Sequence, residues 1–206
     1  MSANISASVV KDLRVRTGAG IMDCKEALKN CNGNLDEAID FLRKKGIAKA
    51  EKKAGRQAEQ GTVLSYIHPG NRIGVLVEVN CETDFVAKTD DFLNLVRNIA
   101  MQIAATNPLS LDRDSIDQTK LEKEKEILLE QAKSSGKPES ILEKIVDGRI
   151  EKYFQENCLL EQAYIKDGDK SVQDILTESI ATLGENISIA RFVRFEVGDS
   201  SDLNNS

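Results

Sequence analysis

The run Ile73-Gly74-Val75-Leu76-Val77-Glu78-Val79 leads directly into Asn80-Cys81-Glu82-Thr83-Asp84-Phe85-Val86-Ala87-Lys88. Val and Leu at that density, closed by turn-forming polar residues, predict a mostly buried strand. Behind the polar stretch, Thr89 can cap a helix whose apolar face carries Phe92, Leu95, Val96, Ile99 and Ile103. The stretch therefore joins a strand to a helix, and two rigid elements hold a short loop in place. Within the loop the carboxylate of Asp84 stands next to the ring of Phe85. Such a pair at a loop tip suits a wedge: the ring enters a pocket and the charge disturbs what lies beside it. The alternative is an ordinary turn with Phe85 folded back into the core, and spacing leaves both readings open.

Thr62-Val63-Leu64-Ser65-Tyr66-Ile67 reads as a partner strand, and His68-Pro69-Gly70-Asn71 supplies the turn of a hairpin. At the far end, Ile187, Ile189, Arg191, Val193, Phe195 and Val197 alternate with Ser188, Ala190, Phe192, Arg194 and Glu196. That period of two predicts a terminal strand that joins the hairpin.

Ahead of the hairpin, residues 5–46 predict three short helices. The first starts near Ser6 or Ser8, places Val9 and Leu13 one turn apart, and ends at Thr17-Gly18-Ala19-Gly20, where glycine can take a positive φ. The second carries Met22, Cys24, Leu28 and Cys31 inward and stops at Asn32-Gly33. The third begins with Asn34 as cap and Glu37 at capping-box spacing, aligns Leu35, Ala38, Ile39 and Leu42, and is expected to stop at Gly46. Residues 47–60, rich in Ala, Lys, Glu and Gln, read as a solvated, partly helical linker.

Beyond Asn107-Pro108, Leu121, Leu128 and Leu129 stand among Lys and Glu on an exposed helix. Ser134 to Pro138 breaks it, and Ile141, Ile145, Ile150, Tyr153 and Phe154 give the next helix an apolar side. Residues 159–165 are ambiguous, and a turn is expected at Asp167-Gly168-Asp169. A helix follows with Ile175, Leu176, Ile180 and Leu183, and residues 201–206 read as a polar tail. The expected class is α+β: a three-helix domain over 1–46, a linker over 47–60, and a core of a small antiparallel sheet flanked by helices over 61–200.

Charge is uneven. Residues 1–60 hold 12 Lys/Arg against 8 Asp/Glu, and the remainder 16 against 26. A modestly basic amino-terminal part on an acidic body argues against a general nucleic-acid binder and fits docking on an acidic protein surface. Trp is absent and aromatics are few, so a base-stacking surface is not expected. No run of about 18 apolar residues predicts a membrane span, and the first sixteen residues lack a secretion-signal pattern. Cys24, Cys31, Cys81 and Cys158 are widely spaced, which fits reduced thiols in a cytoplasm-like compartment. With a single histidine, a zinc site is not expected.

No phosphate loop, dinucleotide fingerprint, H-E-x-x-H or G-x-S-x-G pattern is present. The one enzyme-like set is Cys81, His68 and Asp84. With the strand extended, His68 and Cys81 lie roughly 25–35 Å apart along it, which is too far for a thiol and its base.

Leu13-Arg14-Val15-Arg16-Thr17-Gly18-Ala19-Gly20-Ile21-Met22-Asp23-Cys24-Lys25-Glu26-Ala27-Leu28 closely resembles the amino-terminal signature of the elongation factor Ts family. Asn80 to Ala87 resembles its second signature, and Leu42 to Gly46, Gly184 to Ile187 and Arg191 to Phe195 also match, all in the right order. The resemblance implies a guanine-nucleotide exchange factor for elongation factor Tu, without covalent chemistry of its own. It implies a ubiquitin-associated-like three-helix domain before an α+β core. Magnesium and GDP would belong to the partner, so no cofactor is expected on this chain. Long members of the family duplicate the core and insert a coiled coil. Neither is evident here, so the chain is similar to the short class, in which a homodimer supplies two cores. Carried over by position, Asp84 and Phe85, flanked by Thr83 and Val86, match the part that enters the partner near its magnesium and phosphates. Lys11, Leu13, Arg14 and Thr17 match the amino-terminal contact region. The competing reading is a three-helix module that captures peptides or ubiquitin-like proteins without exchange.

Overall fold

A computed structural model describes residues 5–134 and 138–199. The tail over 201–206 and residues 135–137 of the expected helix break lie outside the described residues. Two compact units make up the chain, each assembled from separated stretches. The first takes Met1–Thr62, Glu78–Val96 and Asp174–Ala190; the second takes Val63–Val77, Arg97–Gln173 and Arg191–Ser206.

The first unit opens with helices α1 (Ala7–Thr17), α2 (Ile21–Asn30) and α3 (Leu35–Glu51). Ser6 Oγ accepts the Val9 N–H and starts α1; Gly18, at φ +66°, ends it by donating to the Arg14 carbonyl. Asn34 caps α3: its Oδ1 accepts the N–H groups of Asp36 and Glu37, and its Nδ2 donates to Glu37 Oε1. The cap falls where the spacing predicts, but Glu37 accepts from the Asn34 side-chain amide, while the Asn34 N–H donates to the Cys31 carbonyl. Leu13, Cys24, Ala27, Leu28, Ala38 and Leu42 form the bundle core.

Two expectations fail in the bundle. Met22 is 75% exposed, because α2 turns the Cys24, Ala27 and Leu28 stripe inward, and Met22 is two positions off it. The third helix does not stop at Gly46 but runs on to Glu51, with Ala50 buried, so the expected linker begins as helix. Gly46 lies against α8 (Val172–Leu183), where a Cβ on it would be 3.4 Å from Ala181 Cβ, an ordinary contact. Arg43 of the same helix reaches Asp174 of α8 at 3.5 Å.

An ion-pair cluster ties α2 to α3. Asp23 meets Lys45 at 3.0 Å and Lys49 at 2.8 Å, and Glu26 meets Lys45 at 2.6 Å. Hydrogen bonds from Lys49 and then Lys45 hold the Asp23 carboxyl below its ordinary value. A depressed carboxyl contributes stability above the unfolded-state value of about 3.9, and loses it as pH falls through the folded value. Asp23→Asn is therefore expected to lower stability at neutral pH by about 0.5–1 kcal/mol. The gap should close in urea titrations run below about pH 3. An equal gap at both pH values would show that packing, not charge, is at stake.

β1 (Gln60–Ile67) and β2 (Ile73–Cys81) form the predicted hairpin, and β5 (Ile187–Glu196) pairs on the other side of β2, in the order β1-β2-β5. His68 N–H donates to the Ile73 carbonyl at 2.9 Å and closes the turn. Gly61 is obligatory at φ +146°, because any side chain there would collide with the Val79 carbonyl oxygen. β2 turns Val75, Val77, Val79 and Cys81 inward. After the short helix α4 (Asp84–Ala87), α5 (Asp90–Thr106) starts at Thr89, whose Oγ1 accepts the Phe92 N–H at 3.3 Å. Phe92, Leu95, Val96, Ile99 and Ile103 are all buried, as their spacing predicts.

In the second unit, α6 (Gln118–Ser134) and α7 (Glu139–Asn157) run antiparallel and bury Leu121, Leu128, Ile150 and Phe154 with Ile116 and Cys158. The sequence reading places a helix on each side of the Ser134 to Pro138 break, and both are present. Leu121, Leu128 and Ala132 are the buried residues of α6. Ile141 is exposed and Leu142 takes the inward position. The ambiguous 159–165 stretch resolves into a 3₁₀ turn (Leu159–Glu161) and strand β3 (Ala163–Tyr164). β3 pairs antiparallel with β4 (Asp167–Ser171), so the turn falls at Ile165-Lys166, two residues earlier than expected. Buried Gln102 holds this hairpin: its Oε1 accepts the Ile165 N–H at 2.8 Å, and its Nε2 donates to the Ala163 carbonyl at 3.1 Å.

The alternation of the last strand is interrupted. Ile187 and Ile189 point inward, but further along Phe192 and Arg194 do, and Arg194 Nε donates to the Ala104 carbonyl of α5. Val193 and Phe195 consequently face out, as do Val63 and Ile67 of β1 and Leu76 of β2, and Val197 is exposed just past the strand. The second unit's share of the sheet thus carries an open apolar face.

Candidate docking site

The corner at 80–88 is built around Thr83. Its Oγ1 accepts the Val86 N–H at 3.3 Å, which caps α4 and turns the chain out of β2. Val86 and Ala87 are both buried. Phe85 then has one direction left and is 78% exposed, which excludes its folding back into the core. Asp84 is exposed beside it and accepts from Lys88 Nζ at 2.7 Å, one turn on. That hydrogen bond holds the Asp84 carboxyl below its ordinary value, so it is charged at neutral pH.

The amino-terminal candidates divide. Lys11 and Arg14 are exposed on α1. Thr17 is half-buried and works on the chain itself: its Oγ1 donates to the Leu13 carbonyl at 2.7 Å and accepts the Ala19 N–H. Leu13 is fully buried in the bundle core, so it holds α1 in place rather than meeting a partner. Val86 is likewise buried and anchors the tip from beneath. The sequence reading missed Val15, Ile21 and Met22, which are exposed around the Gly18-Ala19-Gly20 turn. The signal for them was the glycine-rich break, which leaves flanking apolar residues without a turn of helix to cover them.

The thiol reading loses its premise. Cys81 is buried, its Sγ donates to the Thr83 carbonyl at 3.2 Å, and burial followed by the Glu185 charge pushes its thiol up. The thiolate is the reactive form, so this environment makes the group inert. His68 meets the Tyr66 hydroxyl at 3.1 Å. The four cysteines are free. Among the described residues, no group of three or more His, Cys, Asp or Glu could hold a metal ion, and no helix is long and apolar enough to cross a membrane.

A protein-family model described as Elongation factor TS matches residues 6–199. "Elongation factor Ts" of Syntrophomonas wolfei is 63% identical over 195 residues, covering 95% of this chain and 91% of that protein. Its namesake from Thermoanaerobacter sp. is 60% identical over 202 residues, covering 98% and 99%. That of Syntrophobacter fumaroxidans is 54% identical over 198 residues, covering 96% and 99%. Bundle, hairpin, capped tip and closing strand are therefore the frame of a translation elongation factor. More narrowly, the chain belongs to the elongation factor Ts family.

Proposed function

We propose that this chain is a guanine-nucleotide exchange factor that binds elongation factor Tu and promotes release of its GDP. The observation that carries the reading is Phe85: a ring 78% exposed on a capped corner, with a charged carboxylate beside it. Bound GDP is held by loop amides around its phosphates and by a metal bridging oxygens. A wedge that shifts such a loop weakens nucleotide binding, and coupling is reciprocal: nucleotide and factor weaken each other equally. No bond chemistry is required of the factor, and magnesium and GDP are the partner's. The direct test is release of labelled GDP from elongation factor Tu with and without this chain. No acceleration at any concentration would refute the reading.

A second contact is assigned to the corner between α1 and α2, with Lys11 and Arg14 beside the exposed Val15, Ile21 and Met22. The double variant Arg14→Ala, Met22→Ala is expected to raise the factor concentration needed for half-maximal release about tenfold. Its melting temperature should stay put, since both side chains are exposed. An unchanged concentration dependence would remove this corner from the interface. The chain is further assigned a homodimer, which the open apolar sheet face supports.

A further inference from the structure

The structure assigns Glu185, distant in sequence from the tip, as the residue that positions Phe85; this rests on the exchange reading above. Glu185 grips Thr83 with both carboxylate oxygens: Oε1 accepts the Thr83 hydroxyl at 2.6 Å, and Oε2 accepts the Thr83 N–H at 3.0 Å. A hydroxyl has one proton to give. With that proton on Glu185, the Thr83 oxygen is left as a pure acceptor for the Val86 N–H, which is the cap of α4. The carboxylate thus selects the rotamer from which Phe85 projects.

The grip is returned. Glu82 Oε1 accepts the Asn186 N–H at 2.7 Å, so neighbouring residues on the two segments exchange carboxylates. Asn186 is buried, its Nδ2 donates to the Arg56 carbonyl at 2.7 Å, and Arg56 reaches Glu82 at 3.5 Å. Three chain segments are clasped at the base of the tip. The tip needs this. Its helix is four residues long, and an exposed ring has little packing to fix its direction. Charge-assisted bonds to the backbone are the stronger kind and supply the order that packing does not.

Ordering a docking element in advance lowers the cost of binding. When only a fraction of molecules holds the competent form, apparent affinity falls by that fraction. Breaking the clasp should therefore shift affinity and leave the rate at saturation alone. Glu185→Ala is expected to raise the factor concentration for half-maximal GDP release about tenfold, the worth of one charge-assisted bond. The maximal rate and the melting temperature should match wild type.

The experiment is a cycle of wild type, Glu185→Ala, Phe85→Ala and the double variant, each read by GDP release from elongation factor Tu and by amide hydrogen exchange. Protection should fall at Thr83 and Val86 and hold in α1 to α3. In the Phe85→Ala background, Glu185→Ala should cost nothing further, because its effect passes through the ring. Additive losses would overturn the assignment, as would lost protection with no change in concentration dependence. If Glu185→Ala lowers the melting temperature, the isosteric Glu185→Gln takes its place in the same cycle. A wild-type chain that fails to release GDP would sink the exchange reading itself, a result distinct from either.

Discussion

Phe85→Ala should slow factor-promoted GDP release about 30-fold, roughly 2 kcal/mol of coupling, as central aromatic anchors do. Thermal unfolding should be unmoved. The ring is 78% exposed, so its removal leaves no cavity in the factor and strands no polar group. The two measurements together separate a docking ring from a packing ring. A loss of exchange proportional to a loss of stability would make Phe85 a packing residue. Asp84→Asn is a milder change. It keeps the shape, removes the charge and breaks the 2.7 Å bridge to Lys88. Its defect should be smaller than that of Phe85→Ala and should vary with magnesium concentration, since an exposed charge acts through a screened field. GDP release against factor concentration at two magnesium levels reads both variants in one design.

The direction of Phe85 could not be read from its neighbours. Adjacency of Asp84 and Phe85 fits a wedge and a buried turn equally well. What decides is the Thr83 cap and the Glu185 carboxylate on it, and Glu185 is 102 positions away in sequence. By contrast, the supporting elements were plain, because their causes are local. Thr89 stands three residues before Phe92, and an apolar residue recurs every three or four positions to Ile103; that pattern is the helix. The Asn34 and Glu37 spacing likewise is the cap.

The misreadings share a physical origin. Gly46 looked like a stop because glycine is a poor helix residue, but one glycine costs only about 1 kcal/mol and the helix runs through it to the buried Ala50. Leu13 matches the family's amino-terminal contact region by position, yet it lies one position off the face of the exposed Lys11 and Arg14 and goes to the core. In the last strand, strict alternation concealed the change of inward residues between Ile189 and Phe192. Only the bond from Arg194 to the Ala104 carbonyl reveals which side faces α5.

That change of side bears on the second large effect. Val63, Ile67, Leu76, Val193 and Phe195 come from three adjacent strands and face outward, and Val197 is exposed in the turn just past the last strand. Isolated proteins rarely expose a contiguous apolar patch of this kind. A second copy offering the same face would cover it by a two-fold pairing, sheet on sheet about 10 Å apart. Phe195 is the largest of the six side chains and is 62% exposed in the single chain. Phe195→Glu should raise the dimer dissociation constant at least about 100-fold, roughly 3 kcal/mol, since two-fold symmetry puts a carboxylate into the apolar interface from each copy. The fold should survive, because an outward position carries little of the core. Reductant should make no difference, since the strand contains no cysteine and all four thiols are free. Sedimentation velocity of wild type and variant, with and without reductant, decides the matter. A wild-type chain that sediments as a monomer alone and binds its partner strictly one to one would end the dimer reading. A Phe195→Glu dimer as tight as wild type would move the interface to another face.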